Sequence, residues 1–257
     1  MLIIGSSHRY IGAGCICANA CMRSGSGLVT LAVENDIFPI VASKMSEVMV
    51  LDIDSYKGDF ENLVKTCDVI AIGPGLGIRD FSKEKLQYIL DNSTSPVIID
   101  ADGLNVLAQN MNFLNTRKNL STMVLTPHLG EFARLCNCKI EDVIKNKDIL
   151  AVEFAKRYEN IVLVLKSDTT IITNGEEIFI CDEGVPQMAT GGMGDALCGM
   201  ITSFVGQSIP ILDSCLLAVF THSYIARKLS NDMNSVLAQD IIEEIPYALA
   251  NFRKIKD

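Results

Sequence analysis

Short apolar runs alternate with longer segments of helical apolar spacing along most of the chain. Runs this short and this rich in Val, Ile and Leu read as strands, and the alternation as a mostly parallel sheet covered by helices. The expected strands are Leu2–Ile4, Leu28–Val33, Val48–Ile53, Val69–Ile72, Val97–Ile99, Met123–Leu125 and Ile161–Leu165. The period then changes. Thr170–Thr173 and Glu177–Cys181 flank Asn174-Gly175, a dipeptide that favours a tight hairpin, which predicts antiparallel strands at one edge of the sheet. Beyond Asp195 the spacing predicts helices alone, over 195–205, 211–229 and 239–253, with a break at 207–210. The apolar face of Leu216, Leu217, Val219, Phe220 and Ile225 is expected in the core.

A chain of 257 residues fits one large α/β domain, and no linker or repeat divides it. It has no run of 18 apolar residues and no leader at Met1, so a soluble, cytoplasmic protein is expected. Its 22 basic against 31 acidic residues leave a net charge of −9, which argues against nucleic acid and anionic membranes as partners. A small anionic ligand, neutralised locally, stays open. The nine cysteines are odd in number and sit mainly in apolar segments, which predicts reduced, packed thiols. Cys136 and Cys138 lack the spacing of a zinc pair.

In open parallel sheets ligands collect at the carboxyl ends of strands. Gly73-Pro74-Gly75-Leu76-Gly77 follows one strand and is either a tight turn or a degenerate dinucleotide loop; its spacing is not G-x-G-x-x-G, and Pro74 removes an amide donor. A nicotinamide dehydrogenase therefore stays a rival reading. Asp100 and Asp102 read either as paired carboxylates or as one helix cap and one solvated acid. His128 is taken as the one histidine in a post-strand loop with polar neighbours, and it is equally a turn residue ahead of a helix. In the segment MATGGMGDALCGMI, Gly191, Gly192 and Gly194 let several N–H groups face one point while a helix begins near Asp195. Such a pocket suits an oxyanion, typically phosphate. Asp195 is there either as a cap or as a base that deprotonates a hydroxyl attacking phosphorus.

These residues resemble the ribokinase-like superfamily, whose G-x-G-D segment forms an anion hole and supplies a catalytic aspartate. IGAGCICANACMRSGSGLVTLAV (11–33), AIGPGLG (71–77), VIIDADGLNVL (97–107), VLTPHLGEFARL (124–135), VLVLKSDTTII (162–172), MATGGMGDALCGMI (188–201) and SVLAQDII (235–242) are similar, in this order, to the ADP/ATP-dependent NAD(P)H-hydrate dehydratases. The resemblance implies an α/β, ribokinase-like three-layer fold over a single domain, 1–257. It also implies a repair activity, in which hydrated NADH or NADPH is restored with ADP or ATP consumed and Mg2+ assisting. Phosphorylating the ring hydroxyl turns a poor leaving group into phosphate, which the ring nitrogen helps expel.

Carried over by position, the resemblance makes Asp195 the base and Gly192, Met193 and Gly194 the anion hole. Ala13, Gly77 and His128, with Asp195, become the contacts to the hydrated dinucleotide. Lys166, Ser167, Asp168, Thr169 and Thr170, with Gly194, become those to the adenine nucleotide. Asn105 and Glu131 are assigned to Mg2+ or phosphate through water, and a homo-oligomer, tetramer or larger, is implied. Three positions depart from the family pattern: Met193 for threonine, Ser167 for glycine and Leu129 for proline. The chain also starts at its first strand without the epimerase domain fused in many bacterial members, so epimerisation is not implied. Two other readings remain: a kinase for a hydroxymethyl heterocycle, and a nucleotide sensor without turnover.

Overall fold

The computed structural model describes residues 1–118 and 121–254. Its centre is a nine-stranded sheet: β1 (Leu2–Ile4), β2 (Thr30–Val33), β3 (Met49–Asp52), β4 (Ile70–Ile72), β5 (Val97–Ile99), β6 (Met123–Leu125), β7 (Ile161–Leu165), β8 (Thr170–Thr173) and β9 (Ile178–Cys181). The spatial order is β3-β2-β1-β4-β5-β6-β7-β8-β9. The first seven strands run parallel, and β8 and β9 join antiparallel. At the hairpin tip Gly175 has φ +91, and Asn174 Oδ1 accepts the Glu176 and Glu177 amides at 2.9 and 2.8 Å. The expected edge hairpin is present.

Strand alternation divides the core. Leu31, Ile3, Ala71, Ile98, Val124 and Val162 align across the sheet and face one apolar cluster with Cys17, Cys198 and Ile242. Leu2, Ile70, Val97, Met123 and Ile161 face the other, with Phe60, Leu86, Phe132 and Phe154. Helices therefore cover both faces, as the period-2 pattern of a doubly buried sheet requires. One layer holds the helices Ile11–Arg23, Met193–Gly206, Ile211–Ser230 and Ala238–Lys254; the other holds Lys57–Thr66, Asp80–Asn92, Ala101–Gln109, Leu129–Cys136 and Ile140–Arg157.

Several expectations shift. The second strand starts at Thr30 rather than Leu28, because Leu28 is 72% exposed and apolar character alone extended the run. Phe220, expected in the core, is exposed and stacks with Tyr224, while Val219 and Ile225 are buried. His8 also lies in a post-strand loop, after β1, so His128 is not alone in that setting; His8 is exposed and its Nε2 sits 2.6 Å from Asp36 Oδ2. All nine cysteines are free. No helix among the described residues is long and apolar enough to cross a membrane.

Candidate active site

The strand order reverses direction between β1 and β4, the kind of switch point at whose carboxyl ends open parallel sheets bind ligands. Two turns follow these strands. Ser6 N donates to Pro74 O at 2.8 Å, closing the two turns on each other. Gly73, Gly75 and Gly77 have φ of +128, +64 and +80. At Gly73 a Cβ would lie 1.8 Å from the Asp100 carbonyl, and at Gly75 2.7 Å from Ala13 Cβ. The loop is thus a tight turn packed against the start of the helix that bears Ala13. It is not a dinucleotide fingerprint.

Neither sequence reading of Asp100 and Asp102 holds. Asp100 occupies the cap position of the Ala101–Gln109 helix but makes no capping bond. Its carboxylate, 1% exposed, takes a 2.6 Å hydrogen bond from Lys166 Nζ. Asp102 turns the other way: Oδ2 accepts Gly77 N at 2.8 Å, and Oδ1 lies 3.5 Å from Asn105 Nδ2. Asn105 Oδ1 in turn accepts Arg134 Nε at 2.8 Å. A hydrogen-bonded relay therefore ties the Gly77 turn to the Leu129–Cys136 helix.

His128 begins that helix. Its Nδ1 accepts the Gly130 and Glu131 amides at 3.0 and 3.4 Å, and Glu131 Oε2 accepts His128 N at 2.9 Å, completing a capping box. The bond from two amides fixes Nδ1 as the unprotonated nitrogen. Burial, with Lys166 and Arg134 nearby, lowers the His128 pKa, so the ring is neutral and Nε2 carries the proton. Burial raises the pKa of Glu131. The structural and the functional readings of His128 are compatible, since the capping bonds use Nδ1 and leave Nε2, 3.4 Å from Glu131 Oε1, outside them.

Lys166 joins these parts. Its amide donates to Pro127 O at 2.8 Å in a parallel bridge with His128. Burial pushes its ammonium down, but Asp100 and Glu131 outweigh that and hold the pKa above its ordinary value. A Cβ on Gly194 would stand 3.1 Å from Lys166 Nζ, so the glycine makes room for this ammonium.

The three glycines ahead of Asp195 serve different purposes. Gly192 is left-handed, φ +92, and starts the Met193–Gly206 helix. A Cβ there would also meet Ile16 Cδ1 at 2.9 Å. Gly194 yields space to Lys166, whereas Gly191 lies in the open and nothing in the structure requires a glycine there. The amides at the start of the helix have no intrahelical acceptor, and they carry the positive end of its dipole. The cap position is Gly192, and Asp195 lies in the first turn rather than at the cap. Burial, then the charges of Asp100, Asp102 and Glu131 working against Lys166, raise its pKa to about 7. Such a carboxyl is poised to exchange a proton near neutral pH.

A cavity of about 640 Å³ adjoins this helix tip, lined by His128, Lys166, Ser167, Asp168, Thr170, Met193 and Gly194 among others. Thr169 is outside this lining; its carbonyl accepts Ser167 Oγ at 2.6 Å within the loop. Ser167 Oγ also accepts Lys147 Nζ at 3.2 Å, and Lys147 lies 3.5 Å from the exposed Asp168 carboxylate. Lys147 escaped the sequence reading, as did His222 and Arg134. Lys147 follows Asn146, where the Ile140–Arg157 helix kinks, and no local pattern marks it. His222 carried a signal, a polar residue on a buried apolar face. Among the described residues no group of three or more His, Cys, Asp or Glu could hold a metal ion.

The family model described as NAD(P)H-hydrate dehydratase matches residues 1–247. This chain belongs to the NAD(P)H-hydrate dehydratase family. It is 36% identical over 251 residues to the ADP-dependent (S)-NAD(P)H-hydrate dehydratase of Staphylococcus aureus, covering 97% of this chain and 88% of that one. It is 35% identical to the bifunctional NAD(P)H-hydrate repair enzyme of Vibrio cholerae, covering 95% of this chain but 48% of that protein, about half its length. The structure of a ribokinase-like superfamily protein from Enterococcus faecalis superposes with a TM-score of 0.86 at 30% identity, covering 98% of this chain and 86% of that one. The fold of this dehydratase family member is ribokinase-like.

Proposed function

We propose that this chain, acting as one domain over 1–257, returns the S form of hydrated NADH or NADPH to the reduced nucleotide, with ADP as phosphoryl donor. The observation that supports this best is Asp195: a half-buried carboxyl with a pKa raised to about 7, in the first turn of a helix whose Met193 and Gly194 line the cavity. Asp195 takes the proton of the ring hydroxyl while that oxygen attacks the terminal phosphorus of ADP, and AMP departs. The backbone amides of Gly192, Met193 and Gly194 hold the transferring phosphoryl group. The C–O bond then breaks, driven by the ring nitrogen lone pair. Phosphate leaves with the oxygen, and loss of a proton from the neighbouring ring carbon restores the double bond.

Ala13, Gly77 and His128 would contact the hydrated dinucleotide, and Lys166, Ser167, Asp168, Thr169 and Thr170 the adenine nucleotide. ADP is preferred here over ATP because the Staphylococcus aureus relative is named for it. Mg2+, which neutralises phosphate charge in phosphoryl transfer, would travel on the nucleotide, since the described residues form no cage for it. Glu131 and Asn105, whose side-chain oxygens accept His128 N and Arg134 Nε, would hold the ion through water.

The site is proposed to work in the cytoplasm and in a homo-oligomer, a tetramer or larger. Edge strand β9 supports the assembly, for it exposes Ile178, Phe179 and Ile180 in a row. Light scattering of the pure chain should show at least four copies; a monomer removes the assembly. Activity is tested by incubating the chain with hydrated NADH, Mg2+ and either ADP or ATP, and following the absorbance of the reduced nicotinamide. Recovery, faster with ADP, is expected. A stable phosphoester of a hydroxymethyl thiazole or pyrimidine, without recovery, would make the protein a kinase.

A further inference from the structure

The wall of the nucleotide cavity carries a polar atom that the fold leaves unanswered. His222 lies in the Ile211–Ser230 helix, is 5% exposed and lines the cavity. Its Nε2 is buried without a hydrogen-bond partner. The other orphaned side-chain atoms among the described residues, Arg117 Nε and Thr221 Oγ1, belong to residues outside the cavity lining. Burying an acceptor unpaired is costly, and such an atom in a pocket wall points to a ligand that answers it.

The ring's state follows from its surroundings. Burial and the Lys166 charge lower the His222 pKa to about 4, while a backbone hydrogen bond with Met193 works in the opposite sense. The ring is therefore neutral, and its unpartnered Nε2 suits a hydroxyl or an amine of the ligand. The cavity is built to match. Its lining combines the polar Lys166 and Gly194 with the apolar Val185, Pro186, Met188 and Val219. Phosphates seated at the helix tip would leave the ribose and the base to this apolar lining, which His222 shares.

We propose that His222 recognises the nucleoside half of the bound nucleotide, its Nε2 accepting a hydrogen bond from a ribose hydroxyl or from the exocyclic amine of adenine. This rests on the nucleotide site described above. The residue is a specificity determinant and touches no reacting atom.

Calorimetric titration of the full chain with four ligands tests it, in the absence of dinucleotide: ADP, 2′-deoxy-ADP, 3′-deoxy-ADP and purine riboside 5′-diphosphate, which lacks the amine. The wild type should bind one of the three analogues about tenfold or more weaker than ADP, and which one identifies the donor. In His222→Phe that ratio should collapse towards one because ADP binding weakens to the analogue's level. Should the phenylalanine variant fail to fold, His222→Asn, whose amide is too short to reach, should show the same collapse. Equal binding of all four ligands to the wild type, or an unchanged ratio in the folded variant, overturns the role of His222 while leaving the site. No ADP binding by the wild type overturns the site itself.

Discussion

Asp195 draws its reactivity from where it is held. A base must be ionised to work, so kcat/KM for the hydrated substrate should climb about tenfold per pH unit below a midpoint near 7 and level off above it. Asp100→Asn removes one of the negative neighbours that raise this pKa, so the midpoint should move to lower pH; a fixed midpoint would assign the limb to another group. The same shift has a thermal signature. The folded pKa lies above the unfolded one of about 3.9, so the native state holds the extra proton between the two and stability falls as pH rises through that window. Asp195→Asn escapes this loss. Its melting temperature should match the wild type near pH 4 and exceed it at pH 8, by about 2–4 °C per kcal/mol in a domain of this size. Turnover should largely vanish while ADP still binds. His128 needs two variants, because it caps a helix as well as facing the cavity. His128→Ala should lower stability by about 1 kcal/mol and raise KM, whereas His128→Asn, a good cap, should raise KM alone. Melting curves beside steady-state kinetics would separate the two roles.

At the level of elements, most of the sheet was legible because buried strands leave dense apolar runs. Their ends were not. Leu28 is as apolar as the strand it precedes, yet it lies in solvent, and its carbonyl accepts the chain's amino terminus at 2.9 Å. The short helices Phe38–Ala42 and Phe113–Thr116 and the 3-10 turn Pro186–Met188 went unseen, being too brief to show a period. The site was legible where a local motif carried it, as at the left-handed Gly192. Pairings between distant segments were not. Lys166 with Asp100 joins two strand ends and Arg134 with Asn105 joins two helices, and no periodicity encodes such partners. Close packing was equally hidden at Gly199, where a Cβ would lie 2.1 Å from the Cys17 carbonyl and 2.9 Å from Ala20 Cβ. Gly199→Ala should force the Ile11–Arg23 and Met193–Gly206 helices apart, and urea unfolding should show a loss of about 1–3 kcal/mol. An unchanged midpoint would mean that the helices yield at no cost.

The whole molecule sets the protein's response to acid through groups buried neutral. His222 has a folded pKa depressed to about 4 against about 6.5 unfolded. Its contribution is complete above the unfolded value and is lost as pH falls towards the folded one, where the unfolded chain binds the extra proton. Denaturation of His222→Asn should accordingly lose less stability than the wild type between pH 6.5 and 4; parallel curves would show that other groups govern that limb. The departures from the family pattern fit the architecture. Leu129 opens a helix, where its N–H has no acceptor to satisfy, so a proline would be tolerated there and is not required. Ser167 braces the loop after β7 through Lys147, and Met193 is buried at the cavity wall.

Gly199 and Gly192 have one more effect when taken together. Backbone rests on backbone at the first, and Ile16 crowds the second, so the helix bearing Ala13 and the helix bearing Asp195 form a single stiff anvil. Ring and phosphoryl group would meet on a surface that does not flex between empty and loaded states. Spin labels on the solvent sides of these two helices should keep the same separation whether ADP is present or absent.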